Sequence, residues 1–300
     1  MNLPPPLGQA LAAALGAEVA SASGVAGGSI NHAARVTLDD GRTIFVKHHP
    51  DAPPGGFVVE AAGLAWLAEA GALRTPEVLA VGDAPGERFL ALEWIGRGVG
   101  DSQLGECALP TWESPAARFG RGLARLHRFG APAFGLDHDN VIGPLHQSNL
   151  PCDTWVEFLA TRRLLPMARA AVDTGALTIS AASRIEHLAA RLPGLCGPEE
   201  PPARLHGDLW GGNAMLDADG GPVVIDPAVY GGHREVDLAM MRLFGGFPAE
   251  AFDAYDAEYP LAPGHVDRVE LFQLYPVLVH VVLFGGSYAA TADRIVGRHL

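Results

Sequence analysis

Asp208, Asn213 and Asp226 are the side chains of this sequence best suited to act together. The first two lie in the stretch HGDLWGGN, residues 206 to 213, and Asp226 stands thirteen positions beyond Asn213 in VVIDPAVYGG. A carboxylate such as Asp208 can accept or orient the proton of an attacking hydroxyl, while the oxygens of Asn213 and Asp226 are hard ligands suited to magnesium. Phosphoryl transfer asks for these parts, because the moving group spreads negative charge and the protein chiefly positions it and supplies neutralising cations.

Four residues separate Asp208 from Asn213, the interval found in HRDxxxxN catalytic loops. Val223, Val224 and Ile225 have the composition of a short buried strand that would deliver Asp226 at its end. Taken singly, each residue also suits a turn, where Asp and Asn hydrogen-bond their own backbone. The spacing taken jointly favours catalysis. A metal-hydrolase reading of His206 and Asp208 finds no further His or Cys nearby at ligand spacing.

If the second half of the chain holds magnesium, the first must hold a nucleotide. Lys47 ends the strand-like run IFVK, and its ammonium could reach two phosphates if Glu60, on the helix-like segment after it, held it in place. Gly24, Gly27 and Gly28 ahead of Ser29 could let backbone N–H groups approach phosphate oxygens, although they do not match GxGxxG. Glu93, Trp94 and Ile95 fall where a strand leaves this half, so their backbone could meet adenine or simply end a hydrophobic strand.

The elements around these residues follow from periodicity and breakers. A short helix over 7–15 precedes strands in EVASAS, INHAARVTL and TIFVKHH, with a turn at Asp39, Asp40 and Gly41. A helix over 57–69 stops at Gly71, and PEVLAVGD and ERFLALEWI supply two more strands. Beyond GRGVGDSQLGE the pattern turns helical, in SPAARFGRGLARLHRFG, TWVEFLATRRLLPMARAAV, ISAASRIEHLAARL, VDLAMMRLFGG and VELFQLYPVLVHVVLFGG. This is an α+β architecture of two lobes, a small antiparallel-sheet lobe over 1–95 and a larger, mainly helical lobe over 96–300.

Composition narrows the partners. Of 300 residues 48% are hydrophobic and 18% charged, as in a folded globular protein, and the formal net charge of −13 speaks against nucleic acid or an anionic membrane as partner. The Pro-rich amino terminus lacks a positive region, the longest apolar run is about ten residues, and three scattered cysteines include no CxxC pair. A cytoplasmic location without structural zinc is expected.

With these pieces in order the chain resembles the fructosamine kinase, or ketosamine-3-kinase, family, whose fold is protein-kinase-like and shared with aminoglycoside phosphotransferases. The likeness rests on GGSIN at 27–31, FVK at 45–47, EAAGLAWL at 60–67, LEWI at 92–95, GLARLHR at 122–128, FGLDHDNVIG at 134–143, HGDLWGGN and DPAVYGGHREVDLAM at 226–240. The resemblance implies ATP and Mg2+ as cofactors and a small-molecule or protein-bound ketosamine as substrate, phosphorylated on its 3-hydroxyl so that the amine is later released. It assigns Asp208 as the catalytic aspartate, Asn213 and Asp226 as metal ligands, Lys47 and Glu60 as the phosphate-gripping pair, and Glu93 to Ile95 as the adenine hinge. Some relatives carry a Cys in the Gly-rich turn where this chain has Ser29, so redox control through that position is not expected. Gly207 in place of an Arg, and Pro227 after Asp226, separate the chain from switchable protein kinases.

Trp210 could stack on a sugar or anchor its loop, and His233 and Arg234 could contact substrate unless Arg234 pairs with Glu235. Asp237 is expected to brace the HGD loop by accepting its N–H groups, and His206 to orient that loop. Asn140, Gln147 and Asn149 read as turn residues. Two other functions fit the same motifs: a phosphotransferase for aminoglycosides or other small hydroxyl compounds, and a non-catalytic nucleotide-binding module. The sequence does not specify the oligomeric state.

Overall fold

A computed structural model describes residues 3–25, 31–96 and 113–300. Helix α1 (Pro5–Leu15) opens with prolines whose missing N–H groups cost nothing in a first turn, and it ends at Gly16 in the left-handed region. It covers one face of a five-stranded antiparallel sheet of β1 (Val19–Gly24), β2 (His32–Leu38), β3 (Thr43–His49), β4 (Val78–Ala84) and β5 (Glu87–Glu93). The strand order is β1-β2-β3-β5-β4. Alternation along β2 and β3 sends Val36, Ile44 and Val46 into a core with Leu7, Leu11 and Phe89. Helix α2 (Gly56–Ala68) packs Phe57, Ala61 and Leu64 against Leu90 and Leu92, which sets Glu60 beside the β3 residue Lys47.

The remainder is mainly helical. Helix α3 (Pro115–Phe129) starts at a Ser114 cap accepting from the Ala117 N–H, and hairpin β6 (Asn140–Ile142) and β7 (Leu145–Gln147) follows. The expected single helix beyond residue 154 is instead α4 (Trp155–Phe158), a π-helical turn over Leu159–Leu164, and α5 (Leu165–Asp173). Pro166 is the physical reason: it cannot donate to the Arg162 carbonyl, and the Arg163 guanidinium takes that acceptor instead. Arg163 is thereby fully buried, stacked 4.0 Å from the Tyr230 ring centroid and 4.4 Å from that of Phe158.

Helix α6 (Ile179–Arg191), capped by Thr178, stops before Pro193. The site segment then alternates short strands, β8 (Ala203–Leu205), β9 (Ala214–Leu216), β10 (Pro222–Val224) and β11 (Tyr230–Gly232), with β8 paired to β11 and β9 to β10. Helices α7 (Glu235–Phe244), α8 (Ala249–Glu258), α9 (His265–Phe284) and α10 (Ser287–His299) complete the chain. The largest core joins Phe158, Leu164, Tyr230, Phe272, Leu278 and Ile295, beneath these short strands. No helix among the described residues is long and apolar enough to cross a membrane.

Candidate active site

The loop after β8 owes its path to one glycine. Gly207 has φ +83°, and a Cβ there would collide with the Ala228 carbonyl oxygen, so no larger residue could carry the chain through this point. The N–H of Gly207 donates to Asp237 Oδ1 at 2.9 Å and that of His206 to Oδ2 at 2.8 Å. Asp237, wholly buried on α7, thus supports the loop as its sequence position suggested, and it also meets His127 Nε2 at 3.2 Å, whose Nδ1 meets the Tyr255 hydroxyl at 2.8 Å. Burial opposes the Asp237 charge, but the bonds from His127 and the loop amides outweigh it and hold the carboxyl below its ordinary range.

His206 is buried and burial lowers its pKa, which favours the neutral ring. Its Nε2 meets the Ile225 carbonyl at 3.0 Å and its Nδ1 accepts from the Asp208 N–H at 3.3 Å. The ring therefore ties the Asp208 loop to the strand end that carries Asp226, an orienting arrangement.

Asp208, Asn213, Asp226, Lys47 and Glu60 form one connected cluster. Asn213 Nδ2 donates to the Asp208 carbonyl at 2.8 Å, to Asp208 Oδ2 at 3.0 Å and to the Asp226 carbonyl at 3.4 Å. Because all three bonds leave through nitrogen, Oδ1 is the atom a cation would meet. Lys47 Nζ lies 2.9 Å from Glu60 Oε1 and 2.8 Å from Asp226 Oδ1, joining the sheet to the loop. Burial works against the Lys47 ammonium, yet the two carboxylates outweigh it and raise its pKa, so it stays charged. Burial pushes the Glu60 carboxyl up, with Lys47 opposing and the Asp226 charge adding. Burial likewise moves Asp208 up to about 6, helped by Asp226 and opposed by the Asn213 bond.

Asp226 is the only non-glycine with positive φ among the described residues, at 55°. Gly tolerates this region better than Ala. Asp226→Gly and Asp226→Ala both remove every polar atom of the side chain and its contact with Lys47, so the difference between them reports the backbone, and Asp226→Ala is expected to be less stable by about 1 kcal/mol in urea unfolding. Equal stabilities would show that Asp226 carries no backbone strain.

Of the residues expected at a hinge, Glu93 ends β5, and Trp94 and Ile95 follow it. Glu93 accepts from Arg74 and Glu77, and Arg74 continues to Asp217 Oδ2 at 2.6 Å, so this carboxylate is tethered to the β9–β10 hairpin. Trp94 lies under the Arg35 guanidinium at 5.1 Å, and Ile95 is buried. Gly27, Gly28 and Ser29 lie outside the described residues. Trp210 is 41% exposed beside the cluster, with its ring over Gly212.

His233 and Arg234 correct the sequence reading. Both are buried, His233 between the rings of Trp155 and Phe272, and Arg234 in a two-pronged pair with Glu200 at 2.7 and 2.8 Å, stacked on Tyr259. Neither is open to a substrate. Glu235 pairs with Arg268 rather than with Arg234. A periodic pattern cannot reveal such pairings, because the partners come from distant segments.

Asn140 and Gln147 are likewise more than turn residues. Asn140 Nδ2 donates to the Val229 carbonyl and Gln147 Nε2 to that of Ala228, which fixes the chain just after Asp226. His127, Asn140 and Gln147 are support residues; the sequence reading did not name His127 and took the other two as turn residues. The only sequence signal for them is the place of His127 in GLARLHR, of Asn140 in FGLDHDNVIG and of Gln147 just after it.

The sequence profile of the fructosamine kinase family matches residues 7–300. An Enterococcus faecium protein named "Probable ketoamine kinase" is 36% identical over 273 residues, 91% of this chain and 92% of that one. The chloroplastic protein-ribulosamine 3-kinase of Arabidopsis thaliana is 32% identical over 94% of this chain and 83% of its own. A crystal structure described as a fructosamine-3-kinase, from Thermobifida fusca, superposes with a TM-score of 0.84 at 42% identity over 97% of each chain.

Proposed function

The chain belongs to the fructosamine kinase family, phosphotransferases that act on hydroxyl groups and share the protein-kinase-like fold, and we propose that it phosphorylates the 3-hydroxyl of ketosamines with ATP and Mg2+. The observation that carries this reading is the joining of Lys47, Asp208, Asn213 and Asp226 in one hydrogen-bonded cluster. A non-catalytic nucleotide-binding module would have no need of all four.

Bound ATP supplies the phosphoryl group, and magnesium offsets the charge of its phosphates. The donor set suits magnesium, since Asn213 Oδ1 and the Asp226 carboxylate are two hard oxygens, and this ion commonly takes one or two protein groups with phosphates and water completing its shell. Lys47, kept charged and aimed by Glu60, would grip phosphate oxygens, and the backbone of Glu93 to Ile95 would meet adenine. Gly27, Gly28 and Ser29 are assigned to phosphate binding by their place in the sequence alone. Asp208 would accept a hydrogen bond from the attacking hydroxyl, which aligns its lone pair, and take its proton as the new O–P bond forms and the bond from the γ-phosphorus to ADP breaks, ADP leaving with the electron pair. Trp210, exposed on the same loop, would stack on the sugar.

We divide the chain between residues 95 and 96, assigning nucleotide binding to the first part and acceptor binding to the second. Release of the amine after 3-phosphorylation makes deglycation of small amines or proteins the role, and the cytoplasm, with its ATP and reduced thiols, the place. Buried free Cys152 and Cys196 fit that compartment.

Side-by-side assays of ATP consumption with a ribulosamine, a fructosamine and an aminoglycoside test this reading. Turnover of at least one ketosamine, with the aminoglycoside at background, is expected; activity on the aminoglycoside alone would overturn it.

A further inference from the structure

Between α2 and β4 the chain passes through Arg74, whose side chain and backbone grip different parts of the site. Its Nη2 lies 2.5 Å from Glu93 Oε1 at the end of β5, and its Nη1 lies 2.6 Å from Asp217 Oδ2 in the turn between β9 and β10. Its carbonyl accepts from the Val224 N–H at 2.9 Å, two residues before Asp226. One residue thus touches the strand leading to the expected adenine hinge and both ends of a hairpin.

That hairpin carries the assigned magnesium ligands. β9 starts directly after Asn213 and β10 ends two residues before Asp226, so both ligands stand at its open end. Asp217 lies at the closed end, roughly 10 Å away at the rise of an extended strand. The closed end is firm: Asp217 Oδ1 accepts from the Asp219 N–H at 3.0 Å and the Gly221 N–H at 2.7 Å, and the Gly220 carbonyl accepts from Arg118 of α3. Glu93 is braced as well, its Oε2 accepting from the Glu77 N–H at 3.3 Å and its own N–H donating to the Glu77 carbonyl at 2.9 Å. Arg74 therefore joins two held pieces rather than two loose side chains.

A second ion pair, Lys47 with Asp226, also spans the sheet and this hairpin. Its members are the groups assigned to phosphate and magnesium, so a bound nucleotide would displace it. The carboxylates of Glu93 and Asp217 have no such assignment. Arg74 keeps its partners when the site fills.

Resting on the nucleotide and magnesium assignments above, we propose that Arg74 is a positioning residue that sets the distance between adenine and metal, holding the hinge in register with Asn213 and Asp226. A ligand that contacts both ends at once gains from that register, because its second contact forms with a partner already in place. A ligand of one end alone gains nothing from it.

Calorimetric titration of adenosine, magnesium tripolyphosphate and MgATP into wild type, Arg74→Ala, Asp217→Asn and the double variant provides the test. Asp217→Asn keeps an oxygen for the Asp219 and Gly221 N–H groups but loses the charge that Arg74 meets. MgATP affinity is expected to fall about fivefold in each single variant and no further in the double, with adenosine and tripolyphosphate within about twofold of wild type throughout. The Arg74 side chain is 42% exposed, so thermal unfolding is expected to move little; a merely structural role would lower stability without this selectivity. Equal weakening of adenosine and MgATP, additive losses in the double variant, or unchanged MgATP affinity would each overturn the positioning role and leave the function standing. If wild type binds no MgATP, the nucleotide reading falls and this role with it.

Discussion

Asp208→Asn is expected to lower kcat by about a thousandfold while nucleotide affinity stays within about twofold of wild type. The substitution keeps size and hydrogen bonding but removes the basic oxygen that receives the hydroxyl proton. Asp208 touches Asn213 and the His206 ring, not Lys47, so the residues assigned to phosphate binding keep their contacts. Steady-state assays with a ketosamine, beside calorimetric titration with nucleotide, separate the two effects. Full turnover in the variant would remove Asp208 from the chemistry. A linked pH effect follows from its raised pKa. Once protonated, Asp208 cannot accept, so wild-type kcat/KM falls as pH drops through about 6. A cation held by Asn213 and Asp226 favours the ionised carboxylate and moves this limb lower.

The second large effect concerns stability. Asp237→Ala strips a buried acceptor from two loop amides and from His127, and is expected to cost roughly 3–5 kcal/mol, as the breaking of buried charged networks does. Asp237→Asn keeps the shape and loses less. The pH window follows from the sign of the shift, because the folded carboxyl is held below its unfolded value near 3.8. The stabilisation is complete above that value and is lost as pH falls through the lower, folded value. Urea unfolding of wild type and Asp237→Asn should therefore differ at pH 7 and still at pH 4, and converge only once pH has fallen below the folded carboxyl's own value, under 3.8. A difference that persisted in acid would assign the cost to packing instead of charge.

Residues with strong local signals were readable from sequence. Glycine stops, the Asp39–Gly41 turn and two-residue alternation placed the sheet, and helix α2 falls within one residue of its expected span. Lys47, Glu60, Asp208, Asn213 and Asp226 come together because each lies within or just beyond an element that periodicity could place, Lys47 inside β3, Glu60 inside α2 and Asp226 two residues past β10. His233 and Arg234 could not be judged that way. Their polarity suggested contact with substrate, whereas Glu200 and Tyr259, from separate segments, supply the partners that permit burial of Arg234. The π-helical turn was hidden for a related reason: Pro166 signals a break, but only the Arg163 side chain, folding back into the core, decides its form.

The contact between Lys47 and Asp226 bears on affinity. Here the cation and the anion assigned to ATP and magnesium neutralise each other across 179 positions of sequence. A nucleoside binding at the hinge would leave that pair intact, but a ligand bringing phosphates and metal exchanges it for contacts of its own. The affinity gained per phosphate then reports the difference between two sets of ion pairs, and adenosine should trail ATP by less than the charge of three phosphates alone suggests.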